Sequence, residues 1–103
     1  MLAQRLHQQG PADKDSLSLE EIPLPEPSLG KVRIRIMFSG VCHTDLHIVE
    51  GDIHPPRLPL TPGHQVVGVV DALGEGVSER QPGQRVGVPW LYAACGNCEF
   101  CQS

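Results

Sequence analysis

Apolar and polar side chains alternate most cleanly along "KVRIRIMFSG" (31–40): Val32, Ile34, Ile36 and Phe38 share one face, and Arg33, Arg35 and Met37 the other. A period of two with β-branched residues predicts a half-buried strand. "HQVVGVVDALG" (64–74) is β-branched and largely apolar, a second strand in which Gly68 marks a bend or bulge. "RVGVPWLYA" (85–93) is a third apolar run, and "SLSLEEI" (16–22) a shorter candidate strand. Only a short piece from about Thr44 to Val49 reads as helix. "GEGV" and "QPGQ" supply tight turns, and the Pro-rich "EEIPLPEPSLG" (20–30) leads into the first strong strand. Short strands between Gly and Pro turns make the expected fold class all-β, a barrel or sandwich with one short helix.

At 103 residues the chain has room for one domain with a modest core. Eight Lys plus Arg against twelve Asp plus Glu give a formal charge of −4, which argues against nucleic acid or an anionic membrane as partner. No apolar run approaches the length of a transmembrane helix. The opening "MLAQRLHQQGP" lacks the apolar stretch of a signal peptide, so the cytoplasm is the expected compartment. No Gly-x-Gly-x-x-Gly follows a strand, and "GEGVSE" (74–79) has Glu79 where a third glycine would stand. A dinucleotide-binding unit is therefore not expected within these residues.

Four cysteines need a reason in a reducing compartment, and metal ligation explains spaced Cys and His better than disulfides. Cys42 follows the first strong strand and His64 opens the second, so adjacent strands could bring them together. A thiolate and an imidazole suit zinc and leave coordination positions for substrate. On spacing alone, a buried structural cysteine and a hydrogen-bonded histidine explain the pair better. "CGNCEFC" (95–101) is the stronger signal: Cys-x-x-Cys spans a tetrahedral ion, and Gly96 frees the backbone to turn amides towards sulfur. Cys95, Cys98 and Cys101 are three ligands where a closed structural zinc site needs four. An iron–sulfur cluster is the rival metal reading of that spacing.

"GVCHTDLHIVEGD", "PGHQVVG", "GQRVGVPW" and "CGNCEFC", in that order, closely resemble the N-terminal part of the zinc-containing medium-chain alcohol dehydrogenases, from about Ser16 to Cys101. "VPWLYAACGNCEFC" is most similar to the microbial branch that prefers primary aliphatic alcohols. The resemblance implies a GroES-like, partly open β-barrel, an incomplete one, whose NAD(P)-binding Rossmann domain is absent from this chain. It also implies an alcohol or aldehyde substrate, and a parent enzyme that is a homodimer or homotetramer. Residue by residue, it implies that Cys42 and His64 are two ligands of a catalytic zinc and that Asp45 orients the histidine. Thr44 would take the alcohol proton and His47 would pass it to solvent. His43 would contact cofactor phosphate, Trp90 would narrow the pocket, and Cys95, Cys98 and Cys101 would hold a structural zinc. Where the family has Gly-His-Glu, this chain has Gly63-His64-Gln65, one negative charge fewer beside the metal.

Plainer roles exist for the small residues: Thr44 as helix cap, Asp45 as a first-turn acid, His47 as an exposed helix residue. The resemblance makes the chain a catalytic-domain fragment, inactive alone. The alternatives are a stand-alone zinc-binding or interaction module, and a co-chaperonin, which has no use for the cysteine cluster.

Overall fold

In the computed structural model, residues 1–91 and 93–103 are described. Among these residues five strands and two short helices run in the order β1 (Leu2–Arg5), β2 (Ser18–Glu21), β3 (Val32–Ser39), α1 (His43–Glu50), β4 (Val66–Leu73), β5 (Arg85–Val88) and α2 (Glu99–Gln102). All pairings are antiparallel: β1 with β2 in one sheet, and β3-β4-β5 in the other. Neither sheet closes on itself, which matches the expected partly open barrel.

The second sheet is built around β4, whose run of valines suits a central strand. Its register with β3 slips twice. Asp71 is the extra residue between the Ala72 and Val70 pairings, and Met37 the extra residue between Ile36 and Phe38. The first bulge turns Asp71 to Arg33, whose Nε donates to Asp71 Oδ2 at 2.7 Å. At the second, Gly68 lies opposite Ile36, and a Cβ there would stand 2.4 Å from the Arg35 carbonyl oxygen. Only glycine fits so close an approach, which is why the valine run is broken at that point.

Among the described residues the buried apolar core consists of Ala3, Leu6, Val49 and Val70, with Leu6 and Val70 almost wholly enclosed. Leu6 is fixed by a β-bridge to Leu60, its N–H donating at 2.7 Å and its carbonyl accepting at 2.9 Å. Burying such a side chain contributes about 1.5–3 kcal/mol. The predicted strands are all present, with trimmed ends. The third stops at Val88, and Tyr92 of that apolar run lies outside the described residues.

Two expectations change. The half-buried reading of β3 holds only for its first half, because Ile36 and Phe38 are 59% and 72% exposed. No described element packs over that end of the sheet. A second helix, α2, also forms, a single turn inside the cysteine cluster.

Candidate metal centre

β3 and β4 meet at Ser39 and Val66, and the Gly40 N–H extends the pairing by donating to the Gln65 carbonyl at 2.8 Å. The excursion 40–65 thus leaves and re-enters the sheet at one neck. Cys42 sits just inside one side of the neck and His64 just inside the other. Register, rather than proximity in sequence, brings them together.

Cys42 is also the N-cap of α1, with extended backbone at φ −131 and ψ 178. Asp45, three residues on, folds back so that its Oδ2 accepts from the Cys42 N–H at 3.0 Å. That bond satisfies an amide that helix geometry otherwise strands. The helix ends at Gly51 in the left-handed region, φ 97, and the His47 carbonyl accepts from the amides of Gly51, Asp52 and Ile53 at 3.1, 2.9 and 3.3 Å. A left-handed residue there closes the helix as a glycine can without strain.

Cys42 Sγ lies 3.2 Å from His64 Nε2, and on the far side of the ring His64 Nδ1 lies 3.3 Å from Asp45 Oδ1. The latter two atoms are buried yet make no hydrogen bond, being poorly aligned. Ligand atoms of Cys42, Asp45 and His64 all fall within 4.8 Å of one another. These residues fit zinc. A thiolate and an imidazole nitrogen on one tetrahedral ion stand about 3.6 Å apart, a slight opening of the observed contact. Drawing Nε2 towards an ion turns the ring, and a small turn aligns Nδ1–H with the orphaned carboxylate oxygen.

The neighbouring predicted residues fall as follows. Thr44 is the second residue of α1, half-buried, and because Cys42 caps the helix the Thr44 hydroxyl is not the cap. Asp45 does occupy the first turn, and the His47 side chain is 41% exposed. His43 and His47 stack at 4.5 Å between ring centroids, and His47 Nδ1 pairs with Asp52 Oδ2 at 2.9 Å. Trp90 meets the His64 ring edge-on at 5.1 Å while remaining largely exposed. The Gln65 side chain lies over Gly40, where a Cβ would stand 2.8 Å from its Oε1, and is exposed. A cleft of about 540 Å³ adjoins the pair, lined among others by Cys42, Asp45, Leu46, Val49 and Pro62. Sequence reasoning missed Asp52 as partner of His47; its place two residues after the helix end, following "EG", was the available signal.

The second cluster stands apart on the surface. Cys95 and Cys101 sulfurs are 3.8 Å apart, and Cys98 and Cys101 3.4 Å. Thiolates on one tetrahedral zinc stand about 3.8 Å apart, so three sulfurs converging this way fit a single ion. Cys95 Sγ accepts from the Asn97 and Cys98 amides at 3.4 and 3.3 Å, as the turn at Gly96 promised. Those two bonds, then the neighbouring thiols, bring the Cys95 pKa down to about 7.

The family described as "Alcohol dehydrogenase GroES-like domain" matches residues 28–103. An alcohol dehydrogenase from Geobacillus stearothermophilus is 50% identical over 91 residues, 87% of this chain and 27% of its own length. One from Moraxella sp. (strain TAE123) is 49% identical over 102 residues, 98% of this chain and 29% of its own. Among solved structures, a thermostable alcohol dehydrogenase from Pyrobaculum aerophilum with cobalt and zinc bound superposes with a TM-score of 0.85 at 32% identity, covering 99% of this chain and 30% of that one. An NAD-dependent alcohol dehydrogenase gives a TM-score of 0.81, also at 32% identity, over 99% of this chain and 29% of that one. The chain thus spans less than a third of the length of these relatives.

Proposed function

The chain belongs to the alcohol dehydrogenase family, whose GroES-like domain it carries, and from that premise we propose that it forms the metal-holding part of a zinc-dependent enzyme oxidising small primary alcohols to aldehydes with NAD(P). The observation that carries this reading is the 3.2 Å approach of Cys42 Sγ to His64 Nε2, with Asp45 behind the ring. A zinc ion there supplies Lewis acidity, lowering the pKa of an alcohol so that it ionises near neutral pH. Hydride acceptance is the chemistry a nicotinamide supplies when bound, and binding, orientation and proton movement fall to side chains.

Once His64 turns towards the ion, Asp45 would hold its proton on Nδ1 and leave Nε2 to bind metal. Thr44, next in sequence to Asp45 and not engaged as a cap, takes the alcohol proton through its hydroxyl. His47, one helical turn further along and held by Asp52, passes it to solvent. His43 opens the helix, where backbone N–H groups favour an anion, and contacts cofactor phosphate. Trp90, beside His64, limits the size of the alcohol. Gln65 keeps the shape of a carboxylate without its charge. Cys95, Cys98 and Cys101 hold a structural zinc that pins their surface lobe. The parent enzyme is a cytoplasmic homodimer or homotetramer, and these 103 residues alone turn over no alcohol.

The test is made in the full-length enzyme. Cys42→Ala should lose one zinc per chain together with alcohol-dependent nicotinamide reduction. Retention of both would end the catalytic-zinc reading. Under the rival reading of a zinc-binding module, replacing Thr44, Asp45 or His47 would leave all function intact.

A further inference from the structure

The two histidines on α1 carry a second possibility for metal. His43 and His47 are four residues apart, which places them one above the other on the same helix face. Their rings are nearly parallel, 19° between planes, with centroids 4.5 Å apart. His43 is exposed and the His47 side chain is 41% exposed, so both can turn towards a common ion at little cost in packing. Two imidazole nitrogens bound to one ion stand about 3–3.4 Å apart, and histidines at i and i+4 reach that separation by rotating their rings out of the stack until both nitrogens face one point.

The decisive feature is Asp52. Its Oδ2 lies 2.9 Å from His47 Nδ1, which holds the ring proton there and leaves Nε2 as a lone-pair donor. The arrangement resembles that of Asp45 behind His64 in setting a carboxylate behind an imidazole, but His64 Nε2 is already turned to the Cys42 sulfur. Asp52 is also fixed in place. Its N–H donates to the His47 carbonyl at 2.9 Å, and Gln9 Nε2 donates to the Ile48 and Ile53 carbonyls at 2.6 and 2.7 Å, binding the turn to the helix.

We propose that His43 and His47, backed by Asp52, form a separate, open site for a borderline divalent transition ion such as nickel, copper or zinc. With two nitrogen ligands and the remaining positions filled by water, it binds more weakly than the thiolate sites. The site stands independently of the catalytic reading above. One consequence does rest on that reading: an ion held by these rings occupies the two side chains assigned there to cofactor and proton, and so competes with both.

The untagged 103-residue chain, first given only enough zinc to fill the tighter thiolate sites, is applied to immobilised nickel and eluted with an imidazole gradient. Retention should be strong, and His43→Gln or His47→Gln should each weaken it about tenfold or more, since each removes half of a chelating pair. Asp52→Asn should weaken it about 10–100-fold in affinity, the usual effect of losing the group that backs a ligand histidine. His7→Gln and His54→Gln serve as controls and should elute with the parent. Circular dichroism of α1 in each variant separates loss of a ligand from loss of the helix. Elution of folded His43→Gln or His47→Gln at the parental imidazole concentration overturns the proposal, as does dependence of retention on His7 or His54. Neither result bears on Cys42 and His64, so failure here and failure of the catalytic reading stay distinct.

Discussion

Replacing Asp45 with asparagine separates the two tasks that its carboxylate performs. Oδ2 accepts from the Cys42 N–H at 3.0 Å, and Oδ1 faces His64 Nδ1 at 3.3 Å. An asparagine amide can keep its oxygen on the Cys42 amide, so the helix cap survives. Its NH₂ then faces Nδ1 and favours the tautomer with the proton on Nε2, which cannot bind metal. Zinc affinity should fall about 10–100-fold, equivalent to about 1.4–2.7 kcal/mol. The metal-free chain should lose only the interaction of a charge with the helix start, about 0.3–1 kcal/mol. Asp45→Ala removes the acceptor as well and strands the Cys42 amide in a partly buried place, a loss of about 1–3 kcal/mol. In a domain of this size, each kcal/mol moves the melting temperature by about 4–8 °C. The assay pairs zinc competition against a chromophoric chelator with melting of the metal-free protein. Both are run in a Cys95→Ser, Cys98→Ser, Cys101→Ser background, where those exposed thiols no longer contribute. Zinc affinity of Asp45→Asn within twofold of the parent would refute the orienting role. Identical melting of the asparagine and alanine variants would refute the cap.

Gly68→Ala should destabilise the chain by at least about 2 kcal/mol, because the new methyl meets the Arg35 carbonyl oxygen at 2.4 Å; Gly10→Ala, with open space around it, should not, and denaturant midpoints compare the two. In the full-length enzyme, Thr44→Ala should keep its zinc and its melting temperature yet lose about two to four orders of magnitude in turnover, whereas lowered melting with full turnover would remove the proton-relay role. Cys95, with a thiol pKa brought down to about 7 from 9.0, should be alkylated by iodoacetamide in the metal-free chain with a midpoint near pH 7, read by peptide mass mapping. Because the folded chain favours the thiolate, this group adds stability to the lobe above its ordinary range, and that contribution disappears as pH falls through about 7.

The strands of the second sheet were legible because alternation and β-branching act over neighbouring residues, and β3 and β4 have both. β1 was not. Leu2–Arg5 offers four residues of mixed character, and it forms through pairing with Ser18–Glu21 and the bridge from Leu6 to Leu60, contacts made far along the chain. The exposure of Ile36 and Phe38 was equally invisible, since alternation tells which face is apolar but not whether anything covers it. In the site, Cys42 and His64 were legible as a pair only through motif order; spacing alone preferred a structural explanation. The structure adds what no motif carries. Cys42 doubles as helix cap, which excludes that role for Thr44, and Asp52 is held under His47 by backbone bonds that residue identities do not announce.

The neck formed by Ser39, Gly40, Gln65 and Val66 has a bearing on how such a protein can change over time. Both donor side chains sit within two residues of that clasp, so their separation is governed by strand pairing and is insensitive to what lies between them. Residues further out in the excursion, between the anchors at Ile53 and Leu60, can be lengthened, shortened or exchanged at small entropic expense while the two donors stay in register. The clasp therefore works like the setting of a gemstone: new outer loops can be grafted around an unaltered Cys42–His64 pair.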